Sequence, residues 1–313
     1  MPAISVVIPS YNRGYCIGDT LQSLLSQTYG DFEAIVVDDA SEDDTRERVQ
    51  AMADPRIRYV AHRYNRGGNA ARNTGIRHAR GDYVAFLDSD DQWAPDKLGK
   101  QLEGMLSLGP DYGASYTWMV CVDQHGRESE RISHRFEGDW RERILVSNFI
   151  GSFSAFMVRT NLLNQIGGLD ENLRSCQDWD LFIRLSRHTR LHCLAEHLVG
   201  YTRRVGGGNR ISENSPAVVQ GHRHILFKFS TDYNALPRPR RTEAMSVFFN
   251  VFSAAGAVGD AARVGLEVLR GDIRPTRLLL LARGMGRAMK RAAVRRRAMA
   301  LQSSRSPIAS RVA

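Results

Sequence analysis

The segment "YVAFLDSDDQW", residues 83–93, runs through apolar side chains and stops on three carboxylates in four positions, Asp88, Asp90 and Asp91. Three acids so close repel one another unless a cation joins them, and hard oxygen ligands suit Mg²⁺ or Mn²⁺. In an extended segment residues i and i+2 share a side, so Asp88 and Asp90 face one ligand while Ser89 faces away. A cation held there keeps positions open for substrate oxygens, such as the two phosphates of a nucleotide. The competing reading makes Asp90 and Asp91 caps of a helix that follows Pro95.

Those carboxylates need elements to position them. "ISVVIP" (4–9), "FEAIVVDD" (32–39) and "YVAFLDSD" (83–90) are short apolar runs with polar ends. Such runs read as strands buried on both faces, hence a parallel sheet. Between the first two, Ile17, Leu21, Leu24 and Leu25 have helical spacing; after the second, Ser41 is the expected N-cap of a helix with Asp43 and Asp44 in its first turn. A third helix is expected over Asn69–Ala79, closed by Gly81. The βαβα order with long crossovers implies a doubly wound α/β domain, whose ligands lie beyond the carboxyl ends of the strands. Pro9–Asn12, Asp38–Ser41 and Asp88–Asp91 all fall there. Further along, 112–122 and 153–159 read as strands, and "QDWDLFIRLSR" (177–187) as a helix with Asp178 at its start.

The C-terminal third differs. "AMSVFFNVFSAAGAVG" is apolar for about 16 residues, short of the roughly 20 a bilayer span needs, so a packed helix or helical hairpin is expected. Residues 270–313 hold twelve Lys/Arg against one acid, a net +11 out of the whole chain's +9, which leaves −2 for residues 1–269. The basicity is a property of the tail, which argues against a generally basic nucleic-acid binder. Residues 274–302 set Leu280, Met285 and Met289 among cations. They read either as a solvated helix or as a basic amphipathic helix on an anionic membrane surface; without interleaved aromatics for stacking, nucleic acid is not an expected partner. Cys16, Cys121, Cys176 and Cys193 show neither a CxxC pair nor a regular spacing, and the N-terminus lacks the form of a signal peptide. A cytoplasmic setting, peripheral on the inner face of the cell membrane, is the expectation.

Five stretches in order, "SVVIPSYNR", "VVDDASEDDT", "GGNAARNTGI", "AFLDSDDQW" and "IGGLDENLRSCQDWDLFIRL", resemble family 2 glycosyltransferases of GT-A fold over about residues 3–205. The resemblance implies a GT-A, Rossmann-like, doubly wound α/β fold with a mostly parallel sheet, to which the tail's composition adds an α-helical basic extension. The implied domains are 1–215, with a nucleotide-binding half 1–110 and an acceptor half 111–215, then 216–313. It further implies a nucleotide-sugar donor, a UDP-sugar first among them, bound through Mn²⁺ or Mg²⁺, and inverting transfer to a glycan or lipid-linked acceptor. Residue by residue, it assigns Pro9 and Tyr11 to the base pocket, Asp39 to a base N–H, Arg72 to the phosphates, Asp88 to ribose and metal, and Asp90 to the metal directly. Asp38 is left as a structural neighbour.

The family's base stands second in an "ED" pair at a helix start. Here the pair is Gln177-Asp178, so Asp178 is the expected base, and the missing first carboxylate bears on acceptor contacts. Asp180, about 200° round the helix, is expected to pair with Arg184. Trp179 is open between an acceptor platform and a packed indole. "YTRRVGGGNRIS" (201–212) resembles the family's lid, carrying Arg203, Arg204 and Arg210, or is an ordinary surface loop. Three other classes are weighed against this. An aspartate-nucleophile phosphatase wants Thr or Val where Gln92 stands, a nucleotidyltransferase wants a Gly/Arg-rich loop where "IPSYNRGYC" stands, and a catalytically silent scaffold of the same fold has only Gln177 in its favour.

Overall fold

The computed structural model describes residues 1–123, 126–203, 215–271 and 275–303. The chain divides into two compact units, Met1–Ile144 with Asn148–Gly208, and Leu145–Ser147 with Asn209–Ala313.

The first unit opens with β1 (Ile4–Ser10), α1 (Ile17–Leu25), β2 (Phe32–Asp38), α2 (Thr45–Ala51), β3 (Ile57–Ala61), α3 (Gly68–His78) and β4 (Tyr83–Phe86). It continues through β5 (Gln92–Trp93), α4 (Lys97–Ser107), β6 (Tyr112–Val122), β7 (Glu128–Ile132), α5 (Arg141–Val146), a 3₁₀ turn (Phe153–Ala155), β8 (Phe156–Arg159), α6 (Thr160–Gln165), α7 (Gln177–Leu185) and β9 (Arg190–Thr202). One sheet holds these strands in the order β3-β2-β1-β4-β8-β6-β9-β5, with β7 paired to β6. The four leading strands are parallel, whereas β8 runs antiparallel to both β4 and β6. This is the mostly parallel α/β sheet expected of a GT-A fold.

Burial explains the strand sequences. Ile4, Val6, Val7 and Ile8 of β1 and Ala34–Val37 of β2 are wholly buried, each larger side chain contributing roughly 1.5–3 kcal/mol. The polar exceptions are paired across the register: Ser5 stands opposite Glu33 and its Oγ donates to Glu33 Oε1 at 2.8 Å. Arg58 Nη1 and the Arg80 N–H donate to the same carboxylate, both at 2.8 Å. Hydrogen bonds to the charged form thus outweigh burial and hold the Glu33 carboxyl below its usual range.

Several local expectations change. β3 lies between α2 and α3, where the sequence reading placed no strand; it is an edge strand of half-buried residues broken by Arg58, so its apolar signal is weak. Ser41 does not cap α2. The residue at that cap is Asp44, whose carboxylate makes no capping bond and instead accepts from Arg48 Nε at 2.9 Å, while Ser41 sits in the preceding loop with its N–H on Asp38 Oδ1. Gly81 is not a helix terminator either. The chain is already extended at Ala79, the residue after α3's end, and a Cβ on Gly81 falls 2.7 Å from the Ser5 nitrogen, so glycine is required by close approach to β1. Asp90 and Asp91 do not cap α4, because β5 intervenes and the cap position is Asp96.

The second unit contains α8 (Ser215–Lys228), α9 (Ser230–Ala235), α10 (Arg238–Ala255), α11 (Val258–Gly271) and α12 (Pro275–Ser303). The apolar stretch forms a helical hairpin: α10 ends on Gly256 in the left-handed region (φ 74°), and α11 folds back against it. Gly284 brings α12 close to α10, since a Cβ there meets the Phe249 ring at 2.4 Å. Among the described residues no helix is long and apolar enough to cross a membrane.

Candidate active site

Two loops beyond the strand ends are stitched together. In the turn after β1, the Asn12 N–H donates to Ser41 Oγ, Asn12 Oδ1 accepts the Glu42 N–H, and the Arg13 N–H donates to Thr45 Oγ1, each at 2.8 Å. Among the described non-glycine residues four have left-handed φ, and three of them stand around this site: Asn12 (52°), Ala40 (65°) and Cys176 (58°). Such a φ costs roughly 1–3 kcal/mol and persists only where the surroundings fix it, a pattern associated with working sites. Pro9 lies near the end of β1 opposite Val37, and Tyr11 is 42% exposed, which leaves its ring accessible for stacking.

The two β2-terminal acids have different work. Asp38 is buried and accepts from the Ser41 N–H and the Tyr59 hydroxyl, as suits a structural neighbour. Asp39, 2% exposed, accepts the N–H groups of Arg66 and Gly67 at 2.8 and 2.6 Å and meets His62 Nδ1 at 2.7 Å. It thereby shapes the start of α3. A carboxylate offers about four lone-pair positions, so a further ligand N–H still has an acceptor there.

The acidic segment is a turn and not an extension of the strand. β4 ends at Phe86, and the Asp91 N–H bonds the Asp88 carbonyl at 3.0 Å, so alternation along a strand does not apply. Asp88 and Asp90 nonetheless stay partly exposed, while Ser89 is buried with its carbonyl receiving the Thr20 hydroxyl at 3.0 Å. Asp88 pairs with Arg72 of α3 at 2.5 Å, and the Arg72 guanidinium lies 4.2 Å over the Phe153 ring. Asp90 stands 3.9 Å from Arg13 Nε.

Asp91 is wholly buried; it receives the Ser154 hydroxyl at 2.6 Å and the Thr202 N–H at 3.1 Å. Burial first, then the charges of Asp88 and Asp90, push its carboxyl well above the usual range. Ser154 also receives the Asp88 N–H at 3.0 Å, and its carbonyl receives Trp93 Nε1 at 2.9 Å, so one buried serine pins the turn at three points. Lys97, also wholly buried, stacks 3.8 Å over Trp93 and donates to Gln101 at 2.6 Å; burial holds its amine well below the usual range.

These residues fit a divalent cation of the Mg²⁺/Mn²⁺ type. With both Asp91 oxygens engaged, Asp88 and Asp90 supply two hard oxygen donors, and Mg²⁺ is commonly held by one or two carboxylates with substrate phosphates completing the shell.

Asp178 sits in the first turn of α7, after left-handed Cys176. Its Oδ1 accepts the Trp179 N–H and its Oδ2 accepts Asn148 Nδ2, both at 2.8 Å. Burial raises its carboxyl above the ordinary range; Trp179, Asn148 and the Arg72 charge oppose this, and Asp88 adds to it. Asp178 therefore shares one electrostatic neighbourhood with the Arg72–Asp88 pair. Burial and the neighbouring Asp178 push the Cys176 thiol up to about 12. Asp180 bonds Arg184 at 2.8 Å inside the core, as the helix geometry requires. Trp179 is a packed indole: it is 4% exposed and its Nε1 donates to the Ile144 carbonyl at 2.6 Å, so it offers no platform. Gln177 Nε2 donates to the Leu173 carbonyl at 3.1 Å. Arg203 pairs with Glu130 of β7 at 2.6 Å; Arg204 and Arg210 lie outside the described residues.

The fold thus joins Arg72 to Asp88, Arg13 to Asp90 and, through charge, Asp178 to both members of the first pair. Sequence reasoning missed His62, Ser154 and Asn148. His62 and Ser154 belong to no recognisable spacing, and Asn148 lies in an unpatterned stretch before Gly151.

Comparison with known proteins identifies the family and the fold. The sequence model for "Glycosyl transferase family 2" matches residues 5–167. The putative teichuronic acid biosynthesis glycosyltransferase TuaG of Bacillus subtilis is 36% identical over 204 residues, 63% of this chain and 79% of that protein. The Escherichia coli UDP-Glc:alpha-D-GlcNAc-diphosphoundecaprenol beta-1,3-glucosyltransferase WfgD is 43% identical over 103 residues, 33% of this chain and 41% of that protein. In fold, the chain is similar to S. aureus TarS 1-349 in complex with UDP-GlcNAc (TM-score 0.59, 19% identity, covering 94% of this chain and 91% of that one). It is also similar to the mannosyltransferase PcManGT of Pyrobaculum calidifontis in complex with GDP-Man and Mn2+ (TM-score 0.55, 20% identity, 92% and 81%). With a family match over half its length, the chain belongs to glycosyl transferase family 2 and is a glycosyltransferase.

Proposed function

We propose that this protein moves a sugar from a nucleoside-diphosphate donor, a UDP-sugar first, to a glycan or lipid-linked glycan acceptor by direct displacement with inversion. The observation that carries the reading is Asp178, a half-buried carboxylate whose charge is felt by the Arg72–Asp88 pair at the mouth of the parallel strands. A base there takes the proton of the acceptor hydroxyl as its oxygen attacks the anomeric carbon, and the bond from that carbon to the donor phosphate breaks with its electrons leaving on the β-phosphate. The donor and acceptor classes are supported by the activity for which WfgD is named and by the UDP-GlcNAc complex of TarS.

Asp88 and Asp90 are the residues that would hold Mn²⁺ or Mg²⁺, which when bound supplies charge stabilisation to the departing phosphate. Tyr11 and Pro9 line the base side, and Asp39 offers an acceptor to a base N–H. Arg72, already committed to Asp88, orients that carboxylate and adds positive charge near the phosphates. The domain division at about residue 215 belongs to the same reading; the lid expected over residues 201–212 lies, beyond Arg203, outside the described residues.

The setting is the cytoplasmic membrane face, with α12 on an anionic surface. Its exposed residues include Leu278, Leu280, Met289 and Val294 beside Arg283, Arg287 and Lys290, so apolar and cationic side chains share the accessible surface of one helix. Donor turnover tests the whole reading. UDP-Glc, UDP-GlcNAc and GDP-Man are offered with an undecaprenyl-diphosphate-linked sugar, with and without Mn²⁺, and the product anomer is read by NMR. Inverted product from one donor is expected, and Asp178→Asn should abolish it. Retained configuration, or full activity in Asp178→Asn, overturns the proposal.

A further inference from the structure

Asn148 lies far from every motif, in the loop between α5 and the 3₁₀ turn, yet its Nδ2 is 2.8 Å from Asp178 Oδ2. The orientation of its amide follows from chemistry. The Gly151 N–H can only donate, and it reaches Asn148 Oδ1 at 3.1 Å; a carboxylate can only accept, and it meets Nδ2. Reversing the amide breaks both contacts at once.

The loop is itself fixed. Phe149 and Ile150 are buried, Gly151 has φ +92°, and a Cβ on Gly151 would stand 2.7 Å from Met119 Cε. The carboxamide is therefore presented by a turn that only glycine can close.

We infer that Asn148 is a positioning residue for Asp178: its carboxamide occupies one carboxylate oxygen, locks the rotamer, and leaves the remaining lone pairs to the acceptor hydroxyl. The inference rests on Asp178 being the base. The Trp179 N–H fixes the other oxygen from within α7, so the carboxylate is held from two elements. The charged and titratable groups around it are Arg72 on α3, Asp88 after β4 and the Cys176 thiol at the start of α7. Asn148 is the neutral donor among them. It favours the ionised carboxylate without adding the net charge that would compete with Arg72 for a phosphate.

The test compares Asn148→Ala, Asn148→Asp and Asp178→Asn in the full chain with the UDP-sugar that the wild type turns over. Asn148→Asp preserves shape and the acceptor for Gly151 but sets a second carboxylate against Asp178, so it reads the coupling of the two side chains, whereas Asn148→Ala removes the donor without adding charge. The inference expects kcat/KM to fall by about ten- to a hundredfold in both Asn148 variants, with donor KM little changed. It also expects the acid limb of the pH profile to move up by about one pH unit in Asn148→Ala and further in Asn148→Asp.

The carboxyl resonance of Asp178, identified by its absence in Asp178→Asn, gives a readout independent of turnover and should move the same way. If both Asn148 variants are folded by circular dichroism and keep the wild-type limb and resonance, the positioning role is wrong. If Asp178→Asn remains fully active, the base assignment itself fails, an outcome distinct from the first. Should Asn148→Ala not fold, Asn148→Asp carries the decision.

Discussion

Arg72 and Asp88 are ion-paired at 2.5 Å, with the same guanidinium stacked 4.2 Å over the Phe153 ring. Arg72 is 8% exposed, so its charge is held where water screens it poorly and where three aspartates gather. Replacement by Lys keeps the charge but loses the planar fork and the stacking. Arg72→Lys should raise donor KM by about tenfold, and Arg72→Ala should in addition cost about 2 kcal/mol of stability, the scale of a charge-assisted hydrogen bond. Steady-state kinetics and denaturant unfolding check the two effects; unaltered KM in both variants removes Arg72 from the donor site.

Asp90 is where the proposed cation is tested most directly. Its partly exposed carboxylate stands 3.9 Å from Arg13 Nε, in the same turn as Asp88 and Asp91. Chelation should abolish transfer, Mn²⁺ should restore it, and Asp90→Asn should lose at least about a hundredfold in kcat/KM. Thermal shift with UDP separates binding from chemistry: about 2.7 kcal/mol of stabilisation is expected at a hundred times Kd. That stabilisation should require metal in the wild type and vanish in Asp90→Asn; metal-independent UDP stabilisation of equal size contradicts the assignment.

The pH dependence follows from Asp178. Burial raises its carboxyl, and the base must be ionised to take a proton, so activity is full above the raised value and falls as pH drops through it. The acid limb of kcat/KM should therefore lie above that of an ordinary carboxylate. Stability runs the other way: a group with a raised folded value favours the folded state most when protonated, so ionising Asp178 costs stability as pH rises through the same window. Asp178→Asn should lose roughly 10²–10⁴ in kcat and should be no less stable than the wild type at neutral pH. A limb at the ordinary carboxylate value in a folded, active enzyme contradicts the burial argument.

The fold was legible where burial is two-sided. Ile4–Pro9, Phe32–Asp38 and Tyr83–Phe86 are continuous apolar runs because both faces of a central parallel strand are covered. At the edge this logic weakens, which is why Ile57–Ala61 escapes a reading built on apolar runs. Long β9 escapes for a related reason: His192, Glu196 and His197 interrupt it, their polar groups satisfied by Ser115 of β6, Lys100 of α4 and Ser133 after β7. For the site, local chemistry singled out Asp88 and Asp90, since clustered carboxylates at a strand end repel one another unless a cation joins them, whereas Asp178 was picked out by the family resemblance. Ser154 and Asn148 were illegible because a serine or asparagine carries no signal until the fold sets it beside a carboxylate some 63 or 30 positions away in the chain. The acidic turn shows the other limit. Its residues stand out in the sequence, but the backbone turns at Asp88–Asp91, and Asp91 goes inward.

Gly81 offers a test of the packing that holds β1 and β4 in register. A Cβ there falls within 2.9 Å of three backbone atoms of Ala3, Ile4 and Ser5, none of which can rotate aside. Its N–H also donates to Ser5 Oγ at 2.9 Å. Gly81→Ala should cost about 2 kcal/mol by overpacking, against the modest gain expected if Gly81 merely ended a helix in an unstrained backbone. Urea unfolding decides between them, and a stabilised variant contradicts the close-approach reading.

The tail prediction turns on α12. Leu278 and Met289 are 48% and 60% exposed, and Arg283, Arg287 and Lys290 cover the adjoining surface of the same helix. A basic residue near an anionic leaflet contributes about 1 kcal/mol, so three of them supply about 3 kcal/mol, or roughly a hundredfold in partitioning. Co-sedimentation with phosphatidylglycerol-containing vesicles should therefore exceed that with neutral vesicles and weaken as salt shortens the screening length. Arg283→Gln, Arg287→Gln and Lys290→Gln together should remove most of the difference, whereas Met289→Ala should lower binding to both vesicle types by removing inserted apolar surface. Because these side chains are exposed, the triple variant should keep its thermal midpoint and its turnover of a water-soluble acceptor. Equal binding of the triple variant and the wild type to anionic vesicles would show that α12 is a solvated helix whose charge serves solubility alone.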